Sequence, residues 1–267
     1  MKTTTLTILA VTSLFAAPAA AQDWAKARLE ASSRHLEWVK VKHGEREVNC
    51  FLAFPEVKEK ATAVIVIHEI FGLTDWVRGV ADQLAEAGFI AIAPDLLSGM
   101  APGGGGSAEL GGGDEVRRVI SRLPPDQITA DLNAVAAHVA KLPACNGKVA
   151  VGGFCWGGSQ TFRFATNNKD VKAAFVFYGS GPTEAPDLGR IACPVYGFYG
   201  ESDARVNATI AQSKDLMKAA GKTYDPVIYD GASHGFMRAG EDPAGTASNK
   251  KAREDGWKRW LTLLKGV

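Results

Sequence analysis

The sequence predicts an α/β fold, with a mostly parallel, twisted sheet of about seven or eight strands, helices on both faces and an antiparallel hairpin at the N-terminal side. Three observations carry this. Short apolar runs recur at 63–67, 89–93, 149–151, 173–178, 194–199 and 224–229, and strands buried on both faces read this way. Stretches of helical periodicity separate most of them, the pattern of a doubly wound sheet. The runs also end in polar or glycine-bearing turns, His68-Glu69, Asp95, Cys155, Asp203 and His234, where such sheets place their chemistry.

In chain order, residues 22–34 form a helical or loose lead-in. Segments 36–41 and 47–53 alternate around His43-Gly44 as a hairpin with one solvated face. His35 and His43 have no acidic neighbour at useful spacing and are placed on the surface. The 63–67 strand leads into His68-Glu69-Ile70-Phe71-Gly72, then a helix over 76–87 and a strand over 89–93. Residues 98–114 hold two glycine runs and few apolar side chains, which predicts a mobile stretch, either a flap beside a site or an idle insertion. A helix over 126–142 follows, capped by Asp126. Beyond the 149–151 strand and a helix over 159–166, strands at 173–178 and 194–199, a helix over 208–220, a strand at 224–229 and an amphipathic helix over 248–264 complete the chain.

At 267 residues with 46% hydrophobic content, residues 22–267 suffice for one domain with one large core. Thirty basic and 29 acidic residues leave a net charge of +1 with no basic run, which gives no reason to expect nucleic acid or an anionic membrane as partner. Met1-Lys2, the apolar run 6–17 and Ala19-Ala20-Ala21 read as a cleaved signal peptide, residues 1–21. An exported, periplasmic, soluble monomer is expected. Export makes four cysteines informative. With Cys155 kept free, either Cys145 and Cys193 form a bridge between neighbouring strands, or Cys50, Cys145 and Cys193 are buried small apolar residues.

Gly153-Phe154-Cys155-Trp156-Gly157 is a strand, a sharp turn and a helix start with a nucleophile at the tip. The helix N-terminus favours a thiolate, and the Trp156 N–H is left free to face an oxyanion. Cys155, Asp203 and His234 follow in the order nucleophile, acid, histidine, the chain order of α/β-hydrolases. Such a trio implies that His234 takes the thiol proton and returns it to a leaving oxygen, while Asp203 orients the imidazole. No histidine or cysteine spacing suggests a metal site, and no cofactor is expected.

Over roughly residues 35–265 the sequence resembles the dienelactone hydrolase (carboxymethylenebutenolidase) family. The resemblance rests on Ile67-His-Glu-Ile-Phe-Gly72, Ala93-Pro-Asp-Leu96, Gly153-Phe-Cys-Trp-Gly-Gly158, Asp203 and Ser233-His-Gly-Phe-Met-Arg238. It implies that Glu69 holds the resting Cys155 as a neutral thiol until substrate binds. It further implies that the N–H groups of Ile70 and Trp156 form the oxyanion hole and that Arg238 binds a substrate carboxylate. A second arginine that the family carries after Ala-Pro-Asp-Leu is replaced here by Gly99; Arg205 is a candidate substitute. The expected substrate is a small enol-lactone-like or otherwise activated ester, because an ordinary ester's tetrahedral intermediate would expel the thiolate. A broad carboxylesterase or thioesterase, and a non-catalytic ligand-binding member of the fold, are the alternatives.

Overall fold

The computed structural model describes residues 23–267. The leader expected at residues 1–21 lies outside the described residues. The elements run α1 (Asp23–Glu30), β1 (Leu36–His43), β2 (Arg46–Ala53), β3 (Ala61–Ile67), α2 (Asp75–Glu86), β4 (Ile90–Pro94), α3 (Gly113–Ile120), α4 (Pro125–Ala140), β5 (Cys145–Phe154) and α5 (Trp156–Asn167). They continue as β6 (Ala174–Phe177), α6 (Ala185–Gly189), β7 (Val195–Gly200), α7 (Ala204–Asn207), α8 (Ile210–Ala219), β8 (Tyr224–Tyr229), α9 (Phe236–Ala239) and α10 (Ala247–Leu264). No described helix is long and apolar enough to cross a membrane.

Eight strands form one sheet in the order β1-β2-β4-β3-β5-β6-β7-β8. The β1–β2 hairpin and the β2–β4 pair are antiparallel, and every pair from β4 to β8 is parallel. Strand β3 explains why the central runs are continuously apolar: Ala61, Ala63, Ile65 and Ile67 enter the core on one face, and Val64 and Val66 enter the core on the other. Each such fully buried branched side chain contributes about 1.5–3 kcal/mol. On the second face an aromatic stack runs beneath the central strands, with Phe177 4.3 Å from Phe198 and 4.8 Å from Trp260 between ring centroids.

This order positions the site. From β3 the chain moves outward to β4, then returns across β3 to β5, so the winding reverses between β3 and β5. Connections on the two sides lead away from one another there and open a crevice beyond the carboxyl ends of the two strands. The residues after β3 are His68 and Glu69, and the residue after β5 is Cys155.

Several expectations are corrected. Asp126 does not cap α4: the N-cap is Pro124, with Pro125 opening the helix and Asp126 inside its first turn. The helix expected at 208–220 is α8, Ile210–Ala219, preceded by the separate short α7 that follows Asp203. His43 is only partly exposed, and its Nε2 lies 2.6 Å from the buried carboxylate of Asp131, which Arg46 also binds at 2.8 Å. All four cysteines are free. Cys145 lies on β5 and Cys193 just before β7, with β6 between them. Two strand spacings, about 9.6 Å, exceed the reach of a disulfide. Cys193 is instead a buried thiol, pushed up to about 11 by burial.

The glycine-rich stretch is tied down at its centre. Asp95 accepts from the Ser107 N–H at 2.7 Å and from the Ser107 hydroxyl at 2.6 Å, and Ser107 Oγ accepts from the Leu73 N–H at 3.0 Å. A Cβ on Gly106 would lie 2.2 Å from Asp95 Oδ2, so glycine is required for that close approach. The segment thereby braces the loop after β3, while Pro102–Gly104 form an exposed tip.

Candidate active site

The turn at Cys155 is strained. Cys155 sits at φ 55°, ψ −116°, the N-cap of α5, a backbone state that costs a non-glycine residue about 1–3 kcal/mol. The surroundings enforce it: the Cys155 N–H donates to Phe177 O at 3.0 Å. A Cβ on Gly157 would lie 2.4 Å from His68 O and 2.5 Å from Ile67 O. The elbow is thus packed directly against the end of β3, and its side chain remains partly exposed at the tip.

Asp203 and His234 arrive from β7 and β8. Asp203 is buried, caps α7 by accepting from the Val206 N–H at 3.4 Å, and accepts from His234 Nδ1 at 2.5 Å. With Nδ1 as donor, the imidazole presents its other nitrogen to Cys155. Cys155 is the largest influence on His234 and raises it. Partial burial opposes it, Asp203 adds to it, and the imidazole is raised to about 9. A raised histidine stabilises the fold fully below its unfolded value near 6.5, and this contribution is lost as pH rises through 9. The alkaline limb of kcat/KM is therefore expected near pH 9, where His234 loses the proton it must give to a leaving group. A limb near pH 6.5 would show that the pairing with Cys155 does not operate in solution.

The N–H groups of Ile70 and Trp156 have no hydrogen-bond acceptor among the described residues. Trp156 adjoins the nucleophile, and Ile70 follows the β3 end on which Gly157 rests. Glu69 is buried, and its carboxylate accepts from Arg238 Nε at 2.7 Å. Burial pushes the Glu69 carboxyl up, and the Arg238 guanidinium pulls it back only in part. The expected partnership of Glu69 with the thiol is thus replaced in this state by an ion pair with the arginine expected to hold substrate. Arg205 stands exposed on α7 and makes no hydrogen bond or ion pair among the described residues.

Two residues at the site escaped the sequence reading. Arg117 on α3 places its guanidinium carbon 5.2 Å from the centroid of Phe71, and Arg238 lies 5.4 Å from the same ring. Tyr178, at φ 41° after β6, packs edge-to-face with His234, centroids 5.1 Å apart, and its buried hydroxyl has no partner among the described residues. The helix carrying Arg117 was hidden by the glycine runs before it. Tyr178 had one available signal, a tyrosine at a parallel strand's carboxyl end directly before a glycine.

Reversed winding, a nucleophile elbow and an acid–histidine pair on the next strands define the α/β-hydrolase class. The model of the dienelactone hydrolase family matches residues 48–267. A protein of Methylorubrum extorquens named as a carboxymethylenebutenolidase is 32% identical over 83% of this chain and 77% of its own length. A dienelactone hydrolase structure from Klebsiella pneumoniae superposes with TM-score 0.75 at 26% identity, covering 88% of this chain and 100% of that one. At the level of fold alone, the acylaminoacyl peptidase of Pyrococcus horikoshii aligns with TM-score 0.66 at 14% identity, over 89% of this chain and 42% of the peptidase. The chain belongs to the dienelactone hydrolase family and is a hydrolase.

Proposed function

We propose that this hydrolase cleaves enol-lactone-like or similarly activated small esters through a Cys155 thioester, with His234 and Asp203 completing the triad. The observation that carries the reading is the 2.5 Å bond from His234 Nδ1 to buried Asp203, on an imidazole whose proton affinity is raised chiefly by Cys155 at the tip of a strained elbow. The Cys155 thiolate attacks the carbonyl carbon, and the displaced electron pair rests on the oxygen facing the Ile70 and Trp156 N–H groups. Collapse expels the leaving oxygen, which takes the proton from His234. Water, deprotonated by His234, then attacks the thioester, and the thiolate leaves with release of the carboxylic acid. A thiolate leaves easily, so the first collapse is productive only when the substrate's own leaving group is better, which favours enolates over alkoxides. Residues 1–21 deliver the enzyme to the periplasm in this reading; an N-terminus at Gln22 in that fraction checks it.

A carboxylate on the substrate would compete with Glu69 for Arg238, and a freed, buried Glu69 gains stability by taking up a proton. Arg117, sharing Phe71 with Arg238, is better placed than Arg205 to supply a second positive charge. Arg238→Ala is expected to raise KM for a carboxylated butenolide about 10–100-fold, and KM for a neutral aryl ester less than about 3-fold. Equal effects on both would remove Arg238 from substrate recognition. Gly99 and the closed Glu69–Arg238 pair favour a second reading, a broad carboxylesterase or thioesterase. The ratio of kcat/KM for the butenolide and the neutral ester in the wild-type enzyme decides between them.

A further inference from the structure

We propose that His68 is a positioning residue for the oxyanion hole, acting on both of its donors without touching substrate. The inference rests on the hydrolase reading above, in which the N–H groups of Ile70 and Trp156 receive the developing oxyanion.

His68 directly follows β3 and is fully buried. Its Nδ1 lies 2.8 Å from the carbonyl oxygen of Glu69. A carbonyl only accepts, so Nδ1 carries the proton and the imidazole is the Nδ1–H tautomer. The oxygen it holds belongs to the same peptide unit as the Ile70 N–H. In a trans peptide the C=O and N–H point in opposite directions, so anchoring the Glu69 carbonyl aims the Ile70 N–H the other way. The Gly72 N–H donates to the same oxygen at 3.2 Å. With two donors on that carbonyl, rotation of the plane would leave both without an acceptor.

The second donor is held by the same ring. His68 stacks on Trp156 with centroids 5.4 Å apart and planes 16° apart, and its backbone oxygen is the surface on which Gly157 rests. The orientation of Trp156 at the first position of α5 is thereby referred to the end of β3. Burial lowers the imidazole's proton affinity, so the ring stays neutral and places no positive charge behind the oxyanion hole.

The remaining nitrogen gives the reason to look beyond packing. Nε2 is buried with no partner among the described residues, a situation that costs about 1–3 kcal/mol. A leucine or phenylalanine would fill this space without that cost. What either lacks is the Nδ1–H, whose one bond is to the peptide that aims Ile70.

The test separates donor from ring. Asparagine places its side-chain N–H₂ at the branch position of Nδ1 and keeps the donor without the ring; phenylalanine keeps the ring without the donor. With a neutral aryl ester, His68→Phe is expected to lower kcat about 10–100-fold, within the range for disturbing one oxyanion donor, while KM changes less than about 3-fold. His68→Asn is expected to retain kcat within about 5-fold of wild type. Alkylation of Cys155 by iodoacetamide forms no oxyanion, so its rate should be unchanged in both variants. Parallel loss of turnover and alkylation in His68→Phe would mean general disorder of the site and overturn the proposal, as would unchanged kcat or failure of asparagine to rescue. If the phenylalanine variant does not fold, His68→Leu replaces it in the same comparison. A Cys155→Ala control that still turned over would instead remove the Cys155 thioester reading, an outcome distinct from any result at position 68.

Discussion

Cys155→Ala is expected to lower kcat/KM on an activated aryl ester by at least about 10⁴-fold while leaving the fold and its melting temperature nearly unchanged. The size of the loss follows from the covalent route: without the sulfur there is no thioester, and residual rate comes only from substrate binding and any oxyanion stabilisation. The small effect on stability follows from the site. Cys155 is partly exposed, so truncation to the β-carbon removes little buried surface and opens no closed cavity. The backbone at φ 55° is held by the bond to Phe177 O and by the packing of Gly157 on the end of β3, none of which involves the sulfur. Turnover, thermal unfolding and the mass of the acyl-enzyme trapped by acid quench measure the two halves separately. Activity within about 10-fold of wild type would assign the nucleophile elsewhere.

What could be read from the sequence follows from where the physics is local. Strands β3 to β7 were legible because burial on both faces imposes an unbroken apolar run on each, and the elbow because a strand, a strained turn and a helix start fall within one contiguous segment. The chain order of Cys155, Asp203 and His234 suggested the triad proposed here. Strand order did not follow from any local pattern: the Cys145–Cys193 alternative failed because β6 lies between β5 and β7. Long-range charge pairing was equally hidden. Nothing near Glu69 in sequence shows that its carboxylate meets Arg238, 169 positions away, or that His43 meets Asp131. Residues 98–114 were legible only in part, for a third reason. Glycine runs imply backbone freedom, but they do not show that Gly106 is glycine because Asp95 leaves no room for a Cβ, or that α3 with Arg117 begins on the last of the run.

The reversal of winding between β3 and β5 accounts for why the functional groups fall where they do. It puts Glu69, Ile70 and His68 on one lip of the crevice and Cys155 and Trp156 on the other, while the acid and the histidine come from strands farther along the same sheet edge. The aromatic stack beneath β5, β6 and β7 fixes the depth of these strand ends. A closely packed interior resists small displacements, which is what a 2.5 Å acid–histidine bond requires.

Asp203→Asn tests that arrangement with almost no change of shape. Asparagine caps helices as well as aspartate, so its side-chain oxygen can keep the bond to the Val206 N–H and the fold should melt within a few degrees of wild type. The consequence for the site is a reversal of polarity. The nitrogen that replaces Asp203 Oδ2 donates, so His234 Nδ1 must accept, and the imidazole proton moves to the nitrogen facing Cys155. In that tautomer His234 is not a base toward the thiol, and no carboxylate remains to stabilise its charged form. We expect kcat/KM to fall about 10²–10⁴-fold; the lower end applies to a cysteine, which yields its proton more readily than a serine. The alkaline limb, near pH 9 in the wild type, should move toward 6.5, because the Asp203 hydrogen bond and charge both raise the imidazole. A pH–rate profile of both proteins reads the loss and the shift together. A loss below about 3-fold with an unmoved limb would mean that Asp203 serves only as the cap of α7, and the histidine's orientation would have to be sought in its contact with Tyr178.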